Sequence, residues 1–185
     1  MFALVESGKI TQMPKGNKGI QIGDVKYPAQ IYTLWSEAER NAIGIYTVEI
    51  DNTNKKNEEW YINTNQTYTF SGGKVKATYG TATAKAIADK TVDGVVVEGL
   101  KTIKKRMIDN QCAGILAPSD WRVVRATETG ETMDSGWKTW RASVRTKCNS
   151  MQTQIDNASD VDALAALFER NESGVRPLGD FPVKE

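Results

Sequence analysis

The chain has no histidine among its 185 residues. This removes the Ser–His and Cys–His nucleophile pairs, the commonest general base near neutral pH and the commonest zinc ligand. Cysteine is nearly absent as well: Cys112 and Cys148 are too few and too widely spaced for a disulfide framework or a four-cysteine zinc site. Both stand among apolar residues at helical spacing and read as reduced core thiols. Neither sign of charge is in excess, since 24 Lys and Arg against 23 Asp and Glu leave a net +1. That balance argues against a strongly basic nucleic-acid binder and against an acidic solvating tail. No apolar run approaches membrane-spanning length, and the opening Met1–Glu6 lacks the basic and long apolar regions of a signal peptide. The expectation is a soluble protein made without an export signal.

Catalytic signatures are missing too. The sequence contains no Gly-x-Ser-x-Gly, no phosphate-binding Gly-x-x-x-x-Gly-Lys-Ser/Thr and no Gly-x-Gly-x-x-Gly. The segment Asp51–Asn54 has a superficial likeness to a calcium loop. Thr53 and Lys55 fall at its third and fifth positions and the glycine of the sixth is absent, so it reads as a polar turn. A glycosidase built on Glu58 or Glu59 is disfavoured because adjacent strand residues point apart. No catalytic residue, cofactor or metal is expected.

What is present divides in two. The first half reads as strands: Phe2–Val5 and Ile10 flank a hairpin turn, and Ile20 and Ile22 alternate before Gly23–Asp24. Ile45–Ile50 is β-branched, Trp60 and Ile62 share a face, and Tyr68 and Phe70 turn through Ser71–Gly73 into Val75, Ala77 and Tyr79. One short helix interrupts them over Trp35–Ile43, with Ser36 and Glu39 placed as a capping box and Gly44 as its end. These units predict a small antiparallel sheet with one wet face. Trp60, Tyr61, Tyr68 and Tyr79 could stack on sugars, although cross-strand pairs over a thin core are the simpler reading.

Near residue 84 the character changes to alanine and small residues. The period then turns helical through Val96, Leu100, Ile103, Met107, Ile108 and Cys112, leaving Lys101, Lys104, Lys105 and Arg106 mostly on a solvated face. Gly114 and Pro118 should end this helix. Ser119 should cap the next, with Asp120 in its first turn, Trp121 and Val124 inward and Arg122 and Arg125 outward. A longer helix is predicted to start near Asp134 or Ser135. Its positions Trp137, Trp140, Val144, Cys148, Met151 and Ile155 step by about 3.5 residues, a near-heptad seam. On this periodicity all three tryptophans belong to the core. A last helix opens at Ser159–Asp162 with Val161, Leu164, Leu167 and Phe168 inward. The final segment carries Leu178, Phe181 and Val183, which either fold back or dock on a partner. The predicted class is α+β: a β-rich domain over 1–84, a helical bundle or hairpin over 85–170, and an extended tail over 171–185.

The wording of Pro118–Arg125, Glu128–Gly130 and Trp140–Arg145 resembles the carboxy-terminal region of small tail proteins of tailed bacteriophages, including the tail-fibre assembly proteins. In that family a Pro-Ser/Thr-Asp-Trp helix precedes a Trp/Tyr-Arg-x-x-(Val)-Arg helix. Here the matching positions are Pro118, Asp120, Trp121, Trp140, Arg141 and Arg145, to which Trp137 adds an aromatic. The first ten residues are also similar to the short strand-turn-strand start of such proteins. About sixty residues carry the clear match.

The resemblance implies a non-enzymatic virion component of the tail fibre or baseplate, made in the host cytoplasm and located in the virion tail. Its partners would be other phage tail proteins, with a homo-oligomer as an option and neither nucleic acid nor membrane involved. The alternative is a tail-fibre assembly chaperone absent from the mature virion, and the second alternative is a carbohydrate-binding module. Arg122, Arg125, Leu178, Phe181 and Val183 are the expected partner contacts.

Overall fold

A computed structural model of the chain describes residues 1–184. Tertiary contacts divide the chain into two compact units, Met1–Thr83 and Ala84–Glu185. The first is built mainly of strands and the second mainly of helices, so the chain is α+β.

The first unit contains β1 (Phe2–Glu6), β2 (Lys9–Gln12), β3 (Ile20–Ile22), β4 (Val25–Tyr27), α1 (Ile31–Leu34), α2 (Glu37–Ala42), β5 (Ile45–Asp51), β6 (Tyr61–Ile62), β7 (Gln66–Ser71) and β8 (Lys74–Tyr79), and β9 (Thr83–Ala84) stands at the junction. Two of its turns take the form expected of them. Ser7 and Gly8 both adopt positive φ (50° and 75°), as do Gly72 and Gly73 (57° and 74°). Consecutive left-handed residues match the twist of the strands they join. The capping box on α2 is complete: the Glu39 N–H donates to Ser36 Oγ at 3.3 Å, and the Ser36 N–H donates to Glu39 Oε2 at 2.7 Å.

The main sheet runs β2-β1-β5-β8-β7. It departs from the antiparallel expectation at its centre, where β5 and β8 pair in parallel, Val48 opposite Val75 and Ile50 opposite Ala77. The reason is topological. The chain places β7 on the sheet's outer edge, so the hairpin return carries β8 in the same direction as β5. The edges β2 and β7 also approach one another, which curls the sheet into a partly closed barrel. Ala3, Val5, Val48, Val75 and Ala77 fill its inner face, with Ile10, Tyr46 and Phe70 packed on them. Leu4 and Ile45 project from the other face into a second cluster with Ile20, Ile31 and Tyr32. The wet face predicted from alternation is therefore covered around β1 by the β3–β4 hairpin and α1.

In the second unit, β10 (Lys90–Val92) and β11 (Val95–Val97) form a hairpin, followed by α3 (Leu100–Leu116), a 3₁₀ turn over Ala117–Ser119, α4 (Asp120–Thr129), α5 (Ser135–Asn157) and α6 (Val161–Ala166). Val96 was expected on the helical stripe but lies in β11, 62 % exposed. Asp93 and Gly94 (φ 49° and 78°) make a tight turn there, and that local chemistry outweighs the helical period. The inward stripe of α3 is instead Leu100, Lys104, Ile108 and Cys112, while Ile103 is 40 % exposed. Lys104 fits among apolar neighbours because its stem packs while its ammonium lies 4.9 Å from the Phe168 ring.

Against α3 lies α5, whose Val144, Cys148, Met151 and Ile155 are buried as the seam predicts. Lys101 donates to the Asp156 carbonyl (2.7 Å) and Lys105 pairs with its carboxylate (2.8 Å). Both place positive charge at the negative end of the α5 dipole. Cys112 and Cys148 are free and buried. Burial, then hydrogen bonding with Cys112 and Asp109, pushes the Cys148 thiol up to about 12, so it stays protonated and unreactive at neutral pH. The tail folds back: the Leu178 N–H donates to Leu167 O (3.1 Å), and Trp140 Nε1 donates to Pro182 O (3.0 Å).

Candidate functional site: the α4 corner

The corner between α3 and α4 unites the two halves of the tryptophan–arginine motif. Pro118 suits the 3₁₀ turn because its fixed φ is compatible with helical backbone while its missing N–H stops the α3 ladder from continuing. Ser119, expected to cap α4, does not. Its φ of −108° and ψ of 1° leave the extended region that a cap requires. Its hydroxyl donates back to Leu116 O at 2.8 Å. Arg141 reaches across from α5 and is 5 % exposed. One terminal nitrogen donates to Leu116 O (2.9 Å) and to Ser119 Oγ, and the other to Asp120 Oδ1 (2.6 Å). The guanidinium fork thus holds three acceptors of one tight turn together. Sequence reading placed Asp120 and Arg141 in one motif without joining them. Arg145, one turn further along α5, is exposed.

From this corner α4 projects with no buried residue, although its sequence is amphipathic. Trp121 is 52 % exposed and Val124 53 %. Their assignment to the core is thus corrected: the period shows that they share a face, but among the described residues Arg122 and the 131–134 segment only flank Trp121 and leave both side chains more than half exposed. Trp137 and Trp140 are half-buried and meet edge to face with centroids 5.5 Å apart. An alanine at Trp121 should therefore change unfolding stability by less than about 1 kcal/mol, where a core tryptophan would cost about 3–5 kcal/mol. Urea titration followed by far-UV circular dichroism measures the difference.

Arg122 adds a second tie between α4 and α5, beside the Asp120–Arg141 pair. Its guanidinium lies 4.5 Å from the Trp121 ring and 4.3 Å from the Trp137 ring. Beside it, Trp121, Arg122, Arg125, Glu131 and Asp134 line a cleft of about 140 Å³. That volume is below the several hundred Å³ of a small-molecule pocket and suits a single side chain. Arg125 faces Glu131 at 3.8 Å across the exposed rim, a contact of little energetic weight. Asp134 is occupied as the N-cap of α5, accepting the Trp137 N–H at 3.1 Å.

The other expected contacts separate. Leu178 is fully buried and leaves the list of partner residues, its carbonyl accepting from Lys147 Nζ at 2.9 Å. An apolar side chain in an irregular segment fills the space beside α5 more favourably than it faces water. Phe181 is half-buried, and Val183 remains 85 % exposed.

Of the four aromatics considered for sugar stacking, Tyr68 is 38 % exposed and Tyr79 half-buried, while the other two are enclosed. Trp60 and Tyr61 are 4 % and 9 % exposed, Lys56 lies over the Tyr61 ring (4.1 Å), and Lys55 is 5.8 Å from that of Tyr79. Asp51 Oδ1 accepts from the Thr53 N–H (2.9 Å) and hydroxyl (2.5 Å), a polar turn of the kind expected. Comparison with known protein families, curated proteins and solved structures returned no match to this chain.

Proposed function

We propose that this chain is a non-enzymatic bacteriophage tail protein, a virion component held in the tail fibre or baseplate through contacts with other tail proteins. One observation carries the binding role: α4 is amphipathic, yet it buries no residue and leaves Trp121, Val123 and Val124 facing solvent. An exposed tryptophan beside two arginines has the composition of an interface centre, and the two exposed valines add apolar area to the patch. The resemblance of Pro118–Arg145 to phage tail proteins supplies the context.

Mass spectrometry of purified particles tests the reading. The chain is expected among the virion proteins, and exchange of Val124 for aspartate should deplete it from particles while its free fold persists. Absence of the unaltered chain from particles, with the protein present in infected cells, would replace this reading with the assembly-chaperone one.

A further inference from the structure

Arg122 is held in place by its flat faces, which leaves the edge of the guanidinium uncommitted. Its carbon lies close to both the Trp121 and Trp137 rings. Among the described residues, no oxygen accepts a hydrogen bond from it and no carboxylate pairs with it. Stacking uses the π-face of a guanidinium, whereas carboxylate recognition uses the N–H groups in its plane, so one arginine does both at once. The two indoles restrict its rotamers before any partner arrives, which lowers the entropic cost of binding.

The charges around the cleft decide the sign of the ligand. The Asp134 carboxylate is used as a helix cap, and Glu131 stands 3.8 Å from Arg125. Arg122 is the charge at this cleft with neither role. Trp121 and Val124 supply apolar flanks more than half exposed, and the cleft beside them has the volume of one side chain.

Resting on the proposed tail-protein reading, we infer that α4 docks an acidic polypeptide segment of a neighbouring tail protein. An Asp or Glu carboxylate of that segment receives the in-plane N–H groups of Arg122, and its apolar neighbours cover Trp121 and Val124.

The test uses the full chain, isotope-labelled, and two capped heptapeptides: Gly-Leu-Asp-Glu-Leu-Asp-Gly, and its counterpart with Asn and Gln for the acids. The acidic peptide is expected to shift the indole N–H resonances of Trp121 and Trp137 and to bind at least about tenfold more tightly than the amide peptide, equivalent to about 1.4 kcal/mol. The preference should shrink as salt is raised. Arg122→Gln should abolish it while the amide resonances of α3 and of the Val144–Ile155 seam stay unchanged, because α4 has no buried residue; local shifts at the two indoles that it stacks on are expected. Arg122→Lys should restore only part, since an ammonium neither forks nor stacks as a plane. Equal affinity for the two peptides, no shift with either at millimolar concentration, or a preference that survives Arg122→Gln would each overturn the inference. Tighter binding of a single-stranded DNA dodecamer would overturn it as well, in favour of a phosphate contact. Failure here with the chain present in particles leaves the tail reading intact. Absence from particles with the peptide preference observed removes the tail reading alone.

Discussion

Replacing Gly99 by alanine is expected to destabilise the helical unit by about 3 kcal/mol. Gly99 immediately precedes α3 with φ at −85°, a conformation open to any residue, so backbone strain is not the issue. Space is. A Cβ built there would lie 2.5 Å from Ala88 O and 2.7 Å from Ile87 O, and would also meet the Ala88 carbonyl carbon. All three are backbone atoms that cannot rotate away, which puts the cost at the upper end of the roughly 1–3 kcal/mol typical of overpacking. The obstructed segment also terminates α3. The Leu100 N–H donates to Ala86 O (2.9 Å), the Lys101 N–H to Ile87 O (3.0 Å), and the Gly99 N–H to Asp89 Oδ1 (2.7 Å). Pushing residues 86–89 aside would expose the unpaired amides of a helix start.

Gly114, inside the same helix, supplies the opposite sign. Nothing lies within 4 Å of a Cβ there, so Gly114→Ala should stabilise by up to about 1 kcal/mol through helix propensity alone. Amide exchange along α3 and α5 reads both variants. Equal effects at positions 99 and 114 would refute the packing argument.

Acid adds a further check at the same place. The Asp89 carboxyl is held below its usual range, first by the Gly99 N–H and then by the Thr102 hydroxyl. A carboxylate whose folded pKa is depressed contributes stability above its unfolded pKa, and loses it as pH falls through the folded value. The α3 start should therefore weaken below about pH 4, and Asp89→Asn should flatten that part of the pH profile of amide exchange.

The second large effect is expected at Arg141. Exchange for alanine should cost about 3 kcal/mol, and magnitudes show which of its contacts matter. The pair with Asp120 is close at 2.6 Å, but the Asp120 side chain is 59 % exposed and rehydrates when released. Its share is therefore less than about 1 kcal/mol. The remainder comes from hydrogen bonds to Leu116 O and Ser119 Oγ, on the buried side of the turn, and from the void left by a long side chain that is almost wholly enclosed. Asp120→Ala should accordingly cost less than about 1 kcal/mol, and Arg141→Lys should recover roughly half of the alanine loss, one ammonium serving fewer of the three acceptors. If Asp120→Ala were as damaging as Arg141→Ala, the ion pair and not the turn would be the source of stability. The Arg141→Ala variant should also loosen the point from which α4 projects, read as faster amide exchange over Asp120–Thr129.

Much of this structure is readable from sequence because it is set by neighbours in sequence. The capping box at Ser36 and Glu39, the turns at Ser7–Gly8 and Gly72–Gly73, the cap at Asp134 and the seam from Val144 to Ile155 need only residues within a few positions of one another. Cues that compete within one stretch are harder to rank. Val96 satisfied a helical period, yet the left-handed pair at Asp93–Gly94 decided for a hairpin. Leu178 was readable as an apolar anchor, but its burial depended on a segment folding back more than twenty residues to reach Lys147.

The amino-acid sequence by itself determined the two-part α+β organisation, the helix-pairing seam and the lack of histidine chemistry, because composition and period act locally and need no knowledge of distant packing. Only the tertiary structure decided that β5 and β8 run parallel, that Arg141 closes the Pro118–Asp120 turn, and that the Trp121 face is left open. Periodicity states which side chains lie together on a helix, and burial requires a second surface to cover them. On α5 that surface is α3. On α4 the described residues leave that face more than half open, so the residues that looked most like core stay exposed.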